Sequence, residues 1–368
     1  MGTPRVCFVV NSVSETSVPA SIAAAINEYT DATVDILSWF SAGEFTQDPS
    51  LKIRNINAPD SFTGISRASY ARAKTILREY DLIQAHHNHS GSFAKIIGRR
   101  LGIPVISREG NTRDGFTREG RILNGLTNPL CEFVVCNSTA VRDSFKQWES
   151  VLLSSNSVRI IPNGIDEEQI SNALANVENP LEGLALQSES IVVGTASSLT
   201  TQKGLDTLIN AIALANTEAD SPFELVVAGD GPLREELERL AREKEVENSV
   251  HLLGSLERAE VYQMMDNTDI YAMPSRWEGF ANAAVEALGI GNACVFSDIA
   301  PFSEPYEQVA LFHPVDDHES LATKLREFGE NADLRREYAE RGRNLVREKY
   351  TLPEIAARYE ALYNRALS

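Results

Sequence analysis

Lysine is scarce in this chain, about 8 of its 34 basic residues, and arginine supplies the rest. Cysteine is scarce too. Cys7, Cys131, Cys136 and Cys294 sit in strand-like contexts with no CxxC pair, which argues against a thiol-held metal or a disulfide framework and for buried free thiols. Long hydrophobic runs are missing: none approaches the roughly 18 residues that a membrane span needs. Val6–Val10 stops at Asn11, too short for a signal-peptide core, and predicts a first buried strand in a cytoplasmic protein. An excess of positive charge is also missing. The formal net charge is −18, which argues against a nucleic-acid partner held through overall charge. The balance is uneven, with roughly 17 basic and 19 acidic groups in residues 1–180, so that about −16 falls on the remainder. An acid-rich, lysine-poor surface resembles that of proteins from salt-loving microbes, where salt screens the self-repulsion, and a halophilic archaeal source is the matching expectation.

What is present is an alternation of short apolar runs with amphipathic stretches, over a length that suits two α/β domains. The first half predicts strands at Val6–Val10, Val34–Leu37, Leu82–Ala85, Val105–Ser107, Phe133–Cys136 and Val158–Ile161. Helices are predicted at Ser66–Glu79, Gly91–Leu101 and Thr139–Trp148, with Leu101-Gly102-Ile103-Pro104 as a helix stop. Polar residues 166–190 break the rhythm, and a domain boundary is expected there. The second half predicts strands at Ile191–Gly194, Leu225–Ala228, Val250–Leu253, Ile270–Met273, Ala293–Phe296 and Ala310–Phe312. Its helices are predicted at Gly204–Ala215, Leu233–Lys244, Arg258–Asn267 and Asn282–Ile290, with charged helices from about Ser320. The expectation is two Rossmann-like, doubly wound parallel-sheet domains, 1–170 and 186–350, facing across a cleft. Residues 351–368 are expected to form a helix returning to the first domain. Ligands of such sheets bind beyond the carboxyl ends of the strands.

The most informative segment is Pro274-Ser275-Arg276-Trp277-Glu278-Gly279-Phe280-Ala281-Asn282-Ala283-Ala284-Val285-Glu286-Ala287. It leaves a strand and opens a helix, where backbone N–H groups and the helix dipole favour an anion. Glu278 on the loop and Glu286 in the helix could each accept paired hydrogen bonds from sugar hydroxyls. A capped helix with solvent-facing glutamates is the competing reading.

This stretch resembles the two-glutamate motif of the family-four retaining glycosyltransferases, whose fold is GT-B. Thr201-Gln202-Lys203-Gly204-Leu205 resembles the family's lysine-glycine segment, Ala228-Gly229-Asp230-Gly231-Pro232 its second Gly-rich turn, and Leu252-Leu253-Gly254 its third. Ile161-Pro162-Asn163-Gly164-Ile165-Asp166 resembles the phrase closing its first domain. The resemblance implies a nucleotide-sugar donor as substrate, a hydroxyl acceptor that in this family is often lipid-linked, no further cofactor and no metal. It implies that Lys203 holds the donor phosphates, Glu286 the ribose, and Glu278 the transferred sugar. Gly279, Phe280, Ala281 and Asn282 would offer N–H groups nearby, and Gly229, Gly231 and Gly254 would shape the base pocket.

The chain departs from the family in three places. The family's Gly-Arg-Leu triplet reads Ser197-Ser198-Leu199, which puts Ser198 in the arginine's place and leaves Arg276 as a candidate substitute. The glycine pair after the first strand is replaced by Asn11-Ser12-Val13-Ser14-Glu15-Thr16-Ser17, and a first-domain histidine by Ser107-Arg108-Glu109-Gly110, with Glu109 where acceptor or sugar contacts fall. His86-His87-Asn88-His89 admits three readings: a cleft contact through His86, a solvent loop, or a metal held by His87 and His89. Arg108, Arg113, Arg118 and Arg121 suit acceptor phosphates or, equally, a solvated helix with Asp114 and Glu119 as partners. With Arg99 and Arg100, the last three are also the groups expected to meet an anionic membrane weakly. The leading expectation is a metal-independent, retaining hexosyltransferase of surface-glycan, glycolipid or glycoprotein assembly. A non-catalytic sugar-nucleotide-binding subunit and a nucleotide-sugar epimerase of the same fold are the alternatives.

Overall fold

The computed structural model describes residues 3–14, 17–42, 51–59, 66–86, 89–154, 156–187, 189–218 and 221–368. The chain divides into two units, Met1–Gly164 with Leu352–Ser368, and Ile165–Thr351.

The first unit runs β1 (Arg5–Val13), α1 (Val18–Tyr29), β2 (Thr33–Ala42), β3 (Ile53–Asn55), α2 (Arg67–Leu77), β4 (Leu82–His86) and α3 (Ser90–Leu101). It continues with β5 (Val105–Glu109), α4 (Arg118–Thr127), β6 (Phe133–Cys136), α5 (Thr139–Asp143), α6 (Gln147–Leu152) and β7 (Val158–Ile160). The strands form one sheet in the order β3-β2-β1-β4-β5-β6-β7, parallel throughout. Val6 to Val10 are wholly buried, which is why the central strand reads as an unbroken apolar run. Gly102 caps α3 in the left-handed conformation, as the Leu101-Gly102 pair predicts. The helix predicted over Thr139–Trp148 is instead two short ones. The Glu149 carboxylate accepts from the Lys146 N–H at 2.9 Å, which starts a second helix. Helix α1 lies outside the segments named from the sequence. Its alanine-rich VPASIAAAINEY offers little contrast between faces.

The second unit runs α7 (Glu167–Asn176), β8 (Ile191–Ala196), α8 (Leu205–Glu218), β9 (Phe223–Ala228), α9 (Arg234–Glu243), β10 (Val250–Gly254) and α10 (Arg258–Asp266). Then follow β11 (Ile270–Met273), α11 (Asn282–Ile290), β12 (Ala293–Ser297), α12 (Ala300–Tyr306), β13 (Ala310–His313), α13 (His318–Gly329) and α14 (Ala332–Lys349). Its parallel sheet is ordered β10-β9-β8-β11-β12-β13. The polar stretch after Ile165 carries α7, capped by Asp166 and packed on this unit's core through Ile170 and Ala173. Two buried apolar residues in ten give α7 a weak sequence signal. The last helix, α15 (Leu352–Leu367), belongs to the first unit, where Ile355, Tyr359 and Tyr363 pack with Val6, Phe8 and Ile26. No helix among the described residues is long and apolar enough to cross a membrane.

Candidate active site

In the second unit the strand order reverses between β8 and β11, so the chain leaves their carboxyl ends in opposite directions and opens a crevice there. Two loops meet at that point. Ser197–Gly204 follows β8, and Pro274–Ala281 follows β11. Arg276 fastens one to the other. Its N–H donates to the Gln202 carbonyl at 2.7 Å, and Nη1 to that of Thr201 at 2.6 Å. Nε and Nη2 reach Asp316 and Asp206, both at 2.7 Å. Gly204 completes the junction at φ 63, where a Cβ would stand 2.2 Å from the Pro274 carbonyl oxygen. Arg276 thus fastens the two loops and is paired with two carboxylates in doing so.

Held this way, Lys203 and Glu278 meet. Lys203 Nζ lies 2.5 Å from Glu278 Oε1, and the Ser275 hydroxyl donates to the same oxygen at 3.0 Å. Gln202 Nε2 reaches Glu278 Oε2 at 3.3 Å and the Trp277 carbonyl at 2.9 Å. The lysine side chain is 18% exposed and the glutamate 7%, so the pair lies at a partly open surface. Gly279, Phe280, Ala281 and Asn282 are half-buried and lead into α11, whose N-cap, Ala281, has no capping side chain.

The turns after β9 and β10 close in on the same segment. Gly229, at φ 143, passes so near Ser197 that a Cβ would stand 1.9 Å from its carbonyl oxygen. The Gly229 N–H donates to the Gly254 carbonyl at 2.7 Å, and Gly231 packs on the Leu199 backbone. Backbone approach requires Gly229 and Gly231, whereas Gly254 faces open space at φ 79. Ser198 is exposed between them and the lysine loop, while Leu199 is buried.

Glu286 lies on α11 and is buried. Arg258 Nη2 donates to its Oε1, and the Tyr262 hydroxyl lies 3.5 Å from the same oxygen. Burial pushes the carboxyl up, and the Arg258 charge offsets part of that push. Arg258 and Tyr262 are site neighbours that sequence reasoning missed. They stand on one helix face four residues apart, but nothing in the spacing announces a partner 28 residues downstream.

The first unit corrects several expectations. His86 ends β4 with its ring buried against Phe8, centroids 4.8 Å apart, and Nε2 lies 3.0 Å from Gln84 Nε2. It is packed into the core and is no solvent loop; His87 and Asn88 lie outside the described residues. Glu109 is buried in a charge cluster. It takes hydrogen bonds from Ser107 at 2.9 Å, from Arg113 Nη1 at 2.8 Å and from Asn124 on both oxygens, with Lys95 Nζ at 3.8 Å. Arg113 Nε also reaches Glu149 at 2.9 Å. Burial alone would raise the Glu109 carboxyl; Arg113 and Lys95 outweigh it and hold the group at about 2. Neither Glu109 nor the fully buried Arg113 is presented to an acceptor or a membrane. Arg108 is buried as well, donating to the Tyr359 hydroxyl at 3.1 Å and to Asn163. Asp114 pairs with Lys146 at 3.2 Å, while Arg118 is exposed and Arg121 half-buried. Cys7, Cys136 and Cys294 are buried free thiols, and Cys131 is partly buried. Among the described residues, no three His, Cys, Asp or Glu side chains gather as a metal site.

Residues 178–345, which carry every one of these second-unit groups, match the family Glycosyl transferases group 1. Residues 31–169 match Glycosyltransferase Family 4. The chain thus matches one glycosyltransferase family in each half. The putative glycosyltransferase EpsF of Bacillus subtilis is 29% identical over 232 residues, 60% of this chain and 58% of that protein. A Campylobacter jejuni N-acetylgalactosamine-N,N'-diacetylbacillosaminyl-diphospho-undecaprenol 4-alpha-N-acetylgalactosaminyltransferase is 27% identical over 244 residues, 65% of this chain and 62% of that one. The chain therefore spans about three-fifths of the length of these relatives. Among solved structures, Anabaena HepE in complex with UDP superposes with a TM-score of 0.81 at 18% identity, over 98% of this chain and 100% of that one. The fold is of the GT-B kind, two Rossmann-like parallel-sheet units.

Proposed function

We propose that this glycosyltransferase-like chain moves a hexosyl group, with retention and without a metal, from a nucleoside-diphosphate sugar to a hydroxyl acceptor. The observation that carries this reading is the Lys203–Glu278 pair at the switch point of the second sheet. A donor diphosphate arriving there would take the lysine as its counter-charge and release Glu278 to accept hydrogen bonds from the sugar hydroxyls. Glu286 would accept from the ribose. The departing phosphate would take the acceptor proton on the face it leaves, so the protein needs to supply position and electrostatic stabilisation without a strong base of its own. HepE, with UDP in its crystal structure, supports a UDP-type donor. Incubation with UDP-hexoses in the presence of EDTA, and assignment of the product anomer by NMR, tests the proposal. An inverted anomer, or turnover that requires added metal, refutes it.

For the acceptor we propose a lipid-linked sugar used in surface-glycan, glycolipid or glycoprotein assembly, met by peripheral contact of the first unit with an anionic membrane. The Campylobacter relative's diphospho-undecaprenol substrate supports the lipid-linked reading. So does an exposed apolar surface on the first unit. Ile122 and Leu126 of α4 flank Gly125, on which Trp148 of α6 packs, and Val151 and Leu152 follow it, at 79% and 47% exposure. Arg118 and Arg121 stand on the same helix. Flotation with anionic and neutral vesicles at low salt checks the contact; equal recovery on both refutes it.

A further inference from the structure

Glu286 shares its two oxygens unequally. Oε1 takes Arg258 Nη2 and has the Tyr262 hydroxyl beside it, whereas Oε2 makes no hydrogen bond among the described residues. Arg258 is itself fixed, because its Nε donates to the Tyr262 hydroxyl at 2.5 Å and its guanidinium lies over that ring, 5.7 Å from the centroid. Tyr262 is buried to 1% exposure, and its hydroxyl lies 3.4 Å from Gln169 on α7. The arginine side chain is 44% exposed against 8% for the glutamate, so the pair reaches solvent mainly through Arg258.

Resting on the donor-site reading above, we infer that Arg258 is a positioning residue for nucleotide binding. Together with Tyr262 it clamps Glu286 Oε1, so that Oε2 alone is offered to the ribose and the carboxylate stays ionised in a buried place. The charged and titratable groups around Glu286 are few. Helix α10 supplies Arg258 and Tyr262, β11 supplies Tyr271, and Asp166 before α7 acts on Tyr262. Arg258 is the cation that acts on this carboxylate, and burial pushes the group the other way. A hydroxyl donates well to a carboxylate and poorly to a carboxylic acid, so losing the cation should couple nucleotide affinity to pH.

The test is calorimetric titration of the full chain between pH 5 and 8 with UDP, GDP and ADP, and with inorganic pyrophosphate as a ligand that lacks ribose. In Arg258→Gln the best-bound nucleotide should weaken about tenfold at neutral pH, and the midpoint of its pH profile should move to higher pH. Arg258→Lys should restore part of that shift, and pyrophosphate should bind both variants as it binds the unaltered protein. Melting curves of Arg258→Lys and Tyr262→Phe guard against a folding defect. A uniform loss with the midpoint unmoved overturns the inference, since that is what simple damage produces. Weakened pyrophosphate binding also overturns it, by making Arg258 a phosphate contact. Failure of the unaltered protein to bind any of the three nucleotides overturns the donor-site reading itself.

Discussion

Both units group charged side chains near the carboxyl ends of their strands and use them differently. The groups lie at the β8/β11 switch point in the second unit and one strand away from the β1/β4 switch point in the first. Beyond β5 of the first unit, Lys95, Glu109, Arg113 and Glu149 balance two charges of each sign in a cluster at most 3% exposed. Beyond β8 and β11 of the second, Lys203–Glu278 and Arg258–Glu286 are single pairs, and their cations are 18% and 44% exposed. A closed cluster whose charges are compensated from within, even with Arg113 Nη2 left unpartnered among the described residues, is out of a ligand's reach. A half-open pair can exchange one partner for a phosphate or a hydroxyl. The units differ in overall charge too. Residues 165–351 hold 15 Lys and Arg against 35 Asp and Glu, a formal −20, while the first unit holds 19 against 17. In so acidic a unit, Lys203 is the cation of these two pairs that can turn to an anion, while Arg258 is committed to Glu286.

Breaking the closed cluster should have the largest effect. Arg113→Met leaves Glu109 and Glu149 buried and short of their cation, and should cost about 3–5 kcal/mol of stability by denaturant unfolding. Nucleotide affinity, measured on whatever stays folded, should hold. The same cluster sets an acid limit. Because Glu109 is held at about 2 against an ordinary 4.5, its contribution is complete above 4.5 and lost as pH falls toward 2. Glu109→Gln should therefore flatten the stability curve in that window, and an unaltered slope would show that the cluster carries no such linkage.

The open pair should behave in the opposite way. Lys203→Ala should weaken diphosphate binding about 10- to 100-fold, the weight of one or two charge-assisted hydrogen bonds. It should change stability by about 1 kcal/mol or less. A large loss of stability with affinity intact would make the pair structural and erase the contrast between the units.

The smallest effect concerns salt. The Debye length falls from roughly 30 Å at 0.01 M to 3 Å at 1 M, so the self-repulsion of the second unit should relax as salt is added. Its melting temperature should climb with potassium chloride between 0.1 and 2 M. A flat or falling curve contradicts the salt-adapted reading of the surface.

Much of this was legible in the residues. Ile270–Met273, Phe133–Cys136 and Asn282–Ile290 stand where the apolar runs and the helix-opening loop place them. Buried parallel strands are continuous in sequence, so they announce themselves. Partnerships between distant segments are what the sequence hid. Arg276 bonds Asp206 and Asp316, 70 and 40 residues away, which no local spacing announces. Glu109 and Arg113 are only four residues apart, but their burial depends on α3, α4 and α6 closing over them. Helices α1 and α7 escaped because an alanine-rich face and a polar helix with two buried residues give the eye no period to follow.

The central claim is that the crevice of the second unit is a nucleotide site and that Glu286 grips the ribose. Calorimetry of the bare nucleoside diphosphate against the unaltered chain and Glu286→Ala tests it most directly. The account predicts a loss of about 1.5–3 kcal/mol in binding, the range of a hydrogen bond to a charged group, with pyrophosphate affinity unchanged. Equal affinity of the two proteins for the nucleotide would contradict it and return Glu286 to the fabric of the helix.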